Sequence, residues 1–423
     1  MKYDIVIVGG GLVGASLACA LRHLPLKIAM IEARSYQQKI DHALDVRTVA
    51  ISEGSKRIFE HLGLWLDLAA HSLPIKQVHV SDKGHFGFVR LTAQELEVDS
   101  LGSVIEVPTL QQLLYATVAA SPNIDLYETA QVVRIKQRIP SSELVLQYQN
   151  NSCILQADLI VAADGGASTV RKLLGINAYE KSYRQHAIVG TIQVNQAHQH
   201  TAYERFTADG PIALLPMHQQ RCSLVWTVPS TRYEAVLALP DQLFLQTIQQ
   251  HFGYRAGCFT AVGQRAAFPL TLIKTREYVQ PGVVIMGNAA HSVHPIAGQG
   301  FNLGLRDAET LASVVQQAIT EQRAINSTEV LMQYQRQRTW DQRAITSLTD
   351  GLARLFIYQQ PWITVPRDIA MCLVDNTPPL KRLFGKVTMG LLSKSSLFLP
   401  HISAHSPIAS SIATTLMEAE TET

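Results

Sequence analysis

The sequence predicts an α/β protein. A Rossmann-like, doubly wound domain carries an inserted β-sheet domain and ends in a helical C-terminal region. Three observations predict this. A short β-branched run at the N-terminus leads into a glycine-rich turn and a helix. A second apolar run, mid-chain, ends at Asp164-Gly165. A third, late in the chain, runs into GNAAHSVHPIAGQGFNLGLRD (Gly287 to Asp307) and a further helix.

Tyr3 to Val8 reads as a buried parallel strand, being short and β-branched. Gly9, Gly11 and Gly14 follow at G-x-G-x-x-G spacing, and Leu12 to Leu21 reads as a helix rich in small residues. Ile28 to Ile31 is the next strand, closed by Glu32. In such a unit the first glycine permits the turn and the second admits a pyrophosphate. The third lets helix and strand pack closely, and the acid accepts from ribose hydroxyls. Gln77 to Val89 reads as strands, Thr109 to Ala120 as a helix, and Val132 to Arg138 with Leu144 to Tyr148 as a hairpin. Ala157 to Ala163 is a buried strand delivering Asp164, which can orient a ribose or ribityl chain. Ser168 and Arg171 after it either face a phosphate or serve as a helix cap and a solvated side chain. From Ala187 to about Phe268, AIVGTIQV, TAYERF, IALLPM and CSLVWTV read as strands. Gly282 to Met286 is another strand. Leu303 to Thr320 is a helix, with Leu303, Ala308, Leu311, Ala312, Val315 and Ile319 on one face. The expected division places 1–75, 98–180 and 274–346 in a discontinuous nucleotide domain, 76–97 and 181–273 in the β-rich domain, and 347–423 in the helical region.

Composition narrows the classes. With 423 residues and 47% hydrophobic content, the chain can fill two or three packed domains. A net charge of +2 argues against a nucleic-acid partner held by bulk electrostatics. Cys19, Cys153, Cys222, Cys258 and Cys372 are scattered without a C-x-x-C, so neither a disulfide framework nor a metal framework is expected. No Lys-Ser or Lys-Thr follows Gly300, which excludes a Walker loop. His291 and His294 are spaced for one helical face. Their segment is not a convincing helix and no acid or cysteine lies near in sequence, so no metal is assigned. His198 and His200 read as solvated loop residues. The apolar N-terminal run is too short for a secretion signal, and no run reaches the length of a membrane span. A cytoplasmic protein is expected. Thr377 to Pro400 is apolar, carries Lys381, Arg382, Lys386 and Lys394, and has no acid between Asp375 and Glu418. It reads either as a segment for an anionic membrane surface or as a helix packed on its own protein.

Taken with Asp45-Val46-Arg47-Thr48-Val49-Ala50-Ile51-Ser52, TAYERFTADGPIALLPM and HPIAGQGFNLGLRD, the three elements resemble the flavin-dependent aromatic hydroxylases built like p-hydroxybenzoate hydroxylase. Within that family they resemble the ubiquinone-biosynthesis branch, nearest its methoxyphenol hydroxylases. The resemblance covers nearly the whole chain and weakens toward the C-terminus. It implies FAD held by Gly9, Gly11, Gly14, Glu32, Ala33, Arg34, Arg47, Gln111, Val133, Asp164, Asn288, Pro295, Gly298, Gly300, Phe301 and Asn302. It also implies NAD(P)H as co-substrate, O2, and a polyprenyl phenol expected to be 2-octaprenyl-6-methoxyphenol. Contacts with the inner-membrane surface and with other ubiquinone-biosynthesis proteins follow from the same resemblance. Pro295 to Asn302 would run along the isoalloxazine ring. The following helix would aim its N-terminus at the N1–C2 edge, where reduced flavin is anionic. No catalytic side chain is assigned, because in that family the flavin C4a carries the reactive oxygen. Two positions depart from the family. Asn288 stands where Asp is usual, keeping an acceptor but losing the charge, and Pro108 stands where relatives often have Arg. Competing readings are hydroxylation at another ring position, a prenyl reductase or halogenase on the same fold, and a non-catalytic FAD-bound subunit. The halogenase W-x-W-x-I-P signature is absent, since Trp362-Ile363-Thr364-Val365-Pro366 lacks the tryptophan pair.

Overall fold

The computed structural model describes residues 1–36, 47–149 and 151–391. The chain begins with β1 (Lys2–Val8), α1 (Leu12–Leu21), β2 (Ile28–Glu32), β3 (Thr48–Ser52), α2 (Glu53–His61), α3 (Trp65–Ala69) and β4 (Leu73–Ile75). It continues with β5 (Gln77–Asp82), β6 (Phe88–Thr92), β7 (Gly102–Glu106), α4 (Val107–Ala119), β8 (Ile124–Glu128), β9 (Gln131–Lys136), β10 (Ser142–Tyr148), β11 (Asn151–Ala162) and α5 (Thr169–Leu173). Then come β12 (Ala178–Val194), β13 (Thr201–Phe206), β14 (Ile212–Pro216), β15 (Arg221–Pro229), α6 (Tyr233–Leu237), α7 (Asp241–Phe252) and β16 (Phe259–Thr275). The last part holds β17 (Val279–Gln280), β18 (Val283–Ile285), β19 (His291–Ser292), α8 (Gln299–Thr320), α9 (Thr328–Leu355), α10 (Pro361–Asn376) and α11 (Pro378–Thr388).

The first sheet has the order β17-β18-β11-β1-β2-β8, and β10 and β9 extend from β11. β1 pairs in parallel with both β11 and β2. Its alternate residues feed two cores: Ile5 and Ile7 join the one containing α1, α4 and α8, while Val6 and Val8 join the other. Burial on both faces is why this strand reads as an unbroken apolar run. α1 lies close to the sheet because Gly14 has no side chain; a Cβ there would stand 1.9 Å from the Gly9 carbonyl oxygen.

The second sheet runs β19-β16-β12-β15-β14-β13-β5-β6. The β5–β6 hairpin thus leaves its sequence neighbours to pair with β13, in parallel. One face of this sheet buries Ile192, Leu214, Leu224 and Trp226 against α7. α7 is a helix within the β-rich stretch of Ala187 to Phe268, between the strands read from sequence and β16. Phe244, Ile248 and Phe252 recur at four-residue spacing and are buried, a helical period set among period-two strands. The opposite face turns toward the helices that follow.

Two expectations are corrected. The boundary expected between 346 and 347 falls inside α9, whose buried stripe Tyr334, Arg338, Gln342, Ile345, Thr349 continues across it without a break. His198 and His200 do occupy a loop, but they are half-buried and bonded to the protein rather than freely solvated. The His198 Nε2 lies 2.8 Å from the Met217 carbonyl and the His200 Nδ1 lies 3.0 Å from the Pro74 carbonyl. Among the described residues no helix is long and apolar enough to cross a membrane.

Candidate FAD and substrate site

The three glycine-rich elements come together in space. A Cβ on Gly9 would lie 2.7 Å from the Asp164 Cα, and one on Gly304 would lie 2.6 Å from Val13 Cγ2. The N-terminal turn therefore packs against both the mid-chain and the late motif.

Glu32 is buried at the end of β2. Its Oε2 accepts from the Gly10 N–H at 2.8 Å and its Oε1 from the Arg34 N–H at 3.0 Å. Gly11 is the N-cap of α1 with no side-chain cap bond, and nothing lies within 4 Å of where its Cβ would stand. That open space above uncapped N–H groups fits a pyrophosphate. The Asp164 Oδ2 accepts from the Val170 N–H at 3.1 Å, while its Oδ1 is buried with no partner, an acceptor facing an absent donor. A dinucleotide fits this set. Ala33 and Arg34 are exposed beside Glu32, Gln111 is half-buried on α4, and Val133 is exposed on β9. Ser168 and Arg171 are committed elsewhere. The Ser168 Oγ caps α5 by accepting from the Arg171 N–H, and the Arg171 guanidinium donates to the Ala289 and Gly166 carbonyls and to Glu180. Any phosphate contact from this pair would have to be made beside these protein bonds.

The late motif is held by a buried polar network. The Asp307 Oδ2 accepts from the Gly287 N–H at 3.1 Å and lies 2.6 Å from the His291 Nε2. Its Oδ1 accepts from Arg338 Nε at 2.7 Å and Gln342 Nε2 at 2.8 Å. Burial pushes the Asp307 carboxyl up, but His291 and Arg338 outweigh it and hold the group well below the usual carboxylate range. The carboxylate that His291 lacked in sequence is thus supplied from one helix over. His294 is buried edge-on to Tyr183, at 5.0 Å between ring centres, and burial lowers its pKa to about 4. Both histidines are parts of the loop's support.

From this loop opens a cavity of about 670 Å3. Arg47, Asn288, Pro295, Gly298, Gly300, Phe301 and Asn302 line it at one end, with Leu12 connecting to the Gly11 turn. Gly298 is left-handed, at φ +60, and starts α8 without a side-chain cap. The Asn302 side chain is engaged within the protein, which leaves its backbone for the expected flavin contact: its amide donates to the Ala50 and Gly298 carbonyls and accepts from the Ser52 N–H, tying α8 to β3. The Gln299 amide donates to the Thr388 carbonyl at 2.9 Å, so α11 closes over the same turn. Asp45 and Val46 lie outside the described residues.

The rest of the cavity is apolar. The second sheet supplies Val78, Val80, Ala202, Phe206, Ala213 and Leu215, and the C-terminal helices supply Leu352, Phe356, Met371 and Val374. Glu204 lies among them on β13, in register with Val80 on one side and Ala213 on the other. Its carboxylate accepts from the Ala297 N–H, and burial pushes its pKa up to about 7. Glu204 was missed in sequence; its signal was an acid at a position where the period-two pattern of TAYERF calls for an apolar residue.

α10 separates this cavity from the exterior. Arg367, Met371 and Val374 face in, while Trp362, Val365, Ile369 and Leu373 form an exposed stripe at three- and four-residue spacing. Asp82, His85 and Asp368 gather at its base with ligand-type atoms within 4.8 Å of one another. Arg367 neutralises Asp82 there, and His85 lies 3.6 Å from Asp368, so the cluster reads as an ion-paired latch between α10 and the β5–β6 hairpin. The described part of Thr377 to Pro400 contains α11, and two of its basic residues are engaged. Lys381 pairs with Asp375 at 3.2 Å and Glu95 at 3.4 Å, and Arg382 pairs with Glu97 at 3.4 Å. The acids that sequence reading found missing nearby come from the loop after β6. Lys394 lies outside the described residues.

Comparison with known proteins agrees with this geometry. A family model described as "FAD binding domain" matches residues 2–349. The chain is 33% identical over 389 residues to "Ubiquinone hydroxylase UbiL" of Rhodospirillum rubrum, covering 92% of this chain and 90% of that protein. It is 32% identical over 392 residues to "3-demethoxyubiquinol 3-hydroxylase" of Escherichia coli, covering 92% and 98%. Among solved structures, p-nitrophenol 4-monooxygenase PnpA of Pseudomonas putida superposes with a TM-score of 0.77 at 16% identity, covering 93% and 99% of the two chains.

Proposed function

From the premise that this chain belongs to the FAD-binding-domain family, within its ubiquinone-pathway flavin hydroxylases, we propose that it hydroxylates the aromatic ring of a polyprenyl phenol using NAD(P)H and O2. The observation that carries the substrate class is the apolar cavity that runs from the glycine-rich turn to the C-terminal helices. A ring seated at Pro295 to Gly300 leaves an apolar passage for a prenyl tail between the second sheet and α10. Burying such a chain is worth about 0.8 kcal/mol per CH2.

FAD would be held by the Gly9–Gly14 turn and Glu32 at its ADP half, by Asp164 and Asn288 toward the ribityl chain, and by the Pro295–Phe301 turn at the ring. When bound, it supplies hydride acceptance from NAD(P)H and activation of O2. The chain's own contribution is orientation and exclusion of water. Arg47 and Asn288 offer polar contacts at one end of the cavity, while Val80, Leu215, Phe356 and Met371 keep the rest dry. The specific step assigned is 2-octaprenyl-6-methoxyphenol to the benzoquinol, on the strength of Asn288 in the late motif. Relatives whose names refer to another ring position make position the point to test. A deletion strain should accumulate the unhydroxylated methoxyphenol by mass spectrometry, and purified protein should convert it with NAD(P)H consumption. Accumulation of a later, demethoxy intermediate would move the assignment to another ring position; absence of any hydroxylated product would reject the activity.

The same reading includes contact with a lipid surface, where such a substrate resides. The exposed Trp362, Val365, Ile369 and Leu373 stripe supports it better than the basic charges of α11, of which Lys381 and Arg382 are paired. α10 would then stand between the lipid and the cavity.

A further inference from the structure

We propose that Glu204 is the base that takes the phenol proton during hydroxylation, an assignment that rests on the hydroxylase reading above. Three observations converge on it. Ala202, Glu204 and Phe206 alternate on the cavity face of β13, so the carboxylate projects where its neighbours are apolar. The strands on either side bring Val80 and Ala213 opposite it, neither of which can neutralise a charge. Among the described residues, the hydrogen bond at the carboxylate comes from the Ala297 N–H, in the turn assigned to the flavin ring. That contact sets the acid between the glycine-rich turn and the apolar cavity, where cofactor and substrate rings would meet.

The other titratable groups lining the cavity are Arg47, Tyr203 and Arg367. Arg47 stands over the Phe268 ring, the Tyr203 hydroxyl donates to the Arg255 carbonyl, and Arg367 is held by Asp82. None adds to the balance at Glu204, which is set by burial and by the Ala297 N–H. An unneutralised acid in an apolar wall costs stability. Poised near neutrality, it has the property a general base requires.

In the step assigned, the phenol O–H bond breaks and the proton goes to a Glu204 carboxylate oxygen. The bonding pair stays on the phenolate oxygen and raises electron density at the ring carbons ortho and para to it. One atom of O2 then enters a ring C–H bond and the other leaves as water. NAD(P)H supplies the two electrons as hydride, and two protons from solvent complete the water and the neutral product. Glu204 returns its proton to solvent after product release, so the net uptake is one proton.

The test is Glu204→Gln in the FAD-loaded protein, with a short-chain 2-prenyl-6-methoxyphenol as substrate. The variant should retain yellow FAD and accept hydride from NAD(P)H. Its hydroxylation kcat/KM should fall by about 100-fold or more, with the reducing equivalents appearing as hydrogen peroxide. Wild-type hydroxylation should rise with pH through about 7 as Glu204 ionises, and E204Q should lack that limb. A ring-fluorinated analogue, already ionised at the assay pH, should restore coupling in E204Q. Glu204→Asp should keep the pH limb at reduced rate, which decides the matter should E204Q lose FAD. A readout independent of turnover is melting without substrate. An acid whose folded pKa is raised destabilises the fold above that pKa and is neutral below its unfolded pKa. E204Q should therefore melt above wild type at about pH 8, with the gap closing by about pH 5. An unchanged pH profile and coupling in E204Q, or no rescue by the fluorinated phenol, overturns the proton-acceptor role alone. A wild type that hydroxylates no phenol overturns the hydroxylase reading and this assignment with it.

Discussion

At the scale of the residue, Gly11 and Gly14 share one motif but answer to different constraints. The space around Gly11 is open, whereas a Cβ on Gly14 collides with the Gly9 carbonyl at 1.9 Å. Gly11→Val should therefore fold with near wild-type melting yet purify colourless, because its side chain occupies the pyrophosphate position. Gly14→Val should fail to accumulate as folded protein. A yellow Gly11→Val protein with full FAD occupancy would sink the assignment of this turn. The spacing in sequence names both glycines and does not distinguish them. Only the backbone approach of β1 to α1 assigns one to packing and leaves the other for a ligand.

At the scale of the element, α8 and α9 are locked to the late motif through Asp307. Its carboxylate holds the Gly287 N–H, His291, Arg338 and Gln342 without access to water. Asp307→Asn should cost about 3–5 kcal/mol, since it breaks a buried pair and leaves Arg338 with Asp341 as its remaining acid partner. The sign of the pH dependence follows from the depressed carboxyl. The unfolded chain takes up the proton first, so the stabilisation is complete above the ordinary carboxylate pKa of about 4 and declines below it. The melting gap between wild type and Asp307→Asn should narrow on acidification below about pH 4; a gap that widens there would contradict the network as drawn. In sequence, Asp307 is one more polar residue in the first half of a helical stretch. Its role depends on α9, whose residues lie thirty or more positions away.

At the scale of the whole molecule, the β5–β6 hairpin, the second sheet and the C-terminal helices enclose one cavity although they are far apart in sequence. α10 is amphipathic in an unusual sense: its inner face lines the cavity and its outer face is apolar too. Replacing Ile369 and Leu373 together with Glu should weaken sedimentation with anionic vesicles by about tenfold or more, given roughly 1.5–3 kcal/mol per buried aliphatic side chain. Turnover of a short-chain soluble phenol should survive, because the glycine-rich turn is built elsewhere. Charge reversal at Lys381 or Arg382 should matter less to vesicle binding, since both already have acid partners. Wild-type protein that ignores vesicles would refute the lipid-surface reading.

The sequence by itself determined the parallel strands, the Gly9–Gly14 turn, the acid at Glu32, the late glycine-rich turn and the helix after it. Each of these is a local pattern, carried by residues within one or two turns of each other, and local sterics and periodicity suffice to read it. The tertiary structure alone decided which groups are left available to a ligand. It spent Ser168, Arg171 and Asn302 on protein partners and gave His291 its carboxylate. It set α7 against the sheet and turned Glu204 into a cavity walled mainly by apolar side chains. The physical reason is that a polar side chain's chemistry depends on what neutralises it and how much water it keeps. Both are set by residues brought close only when the sheets and helices pack.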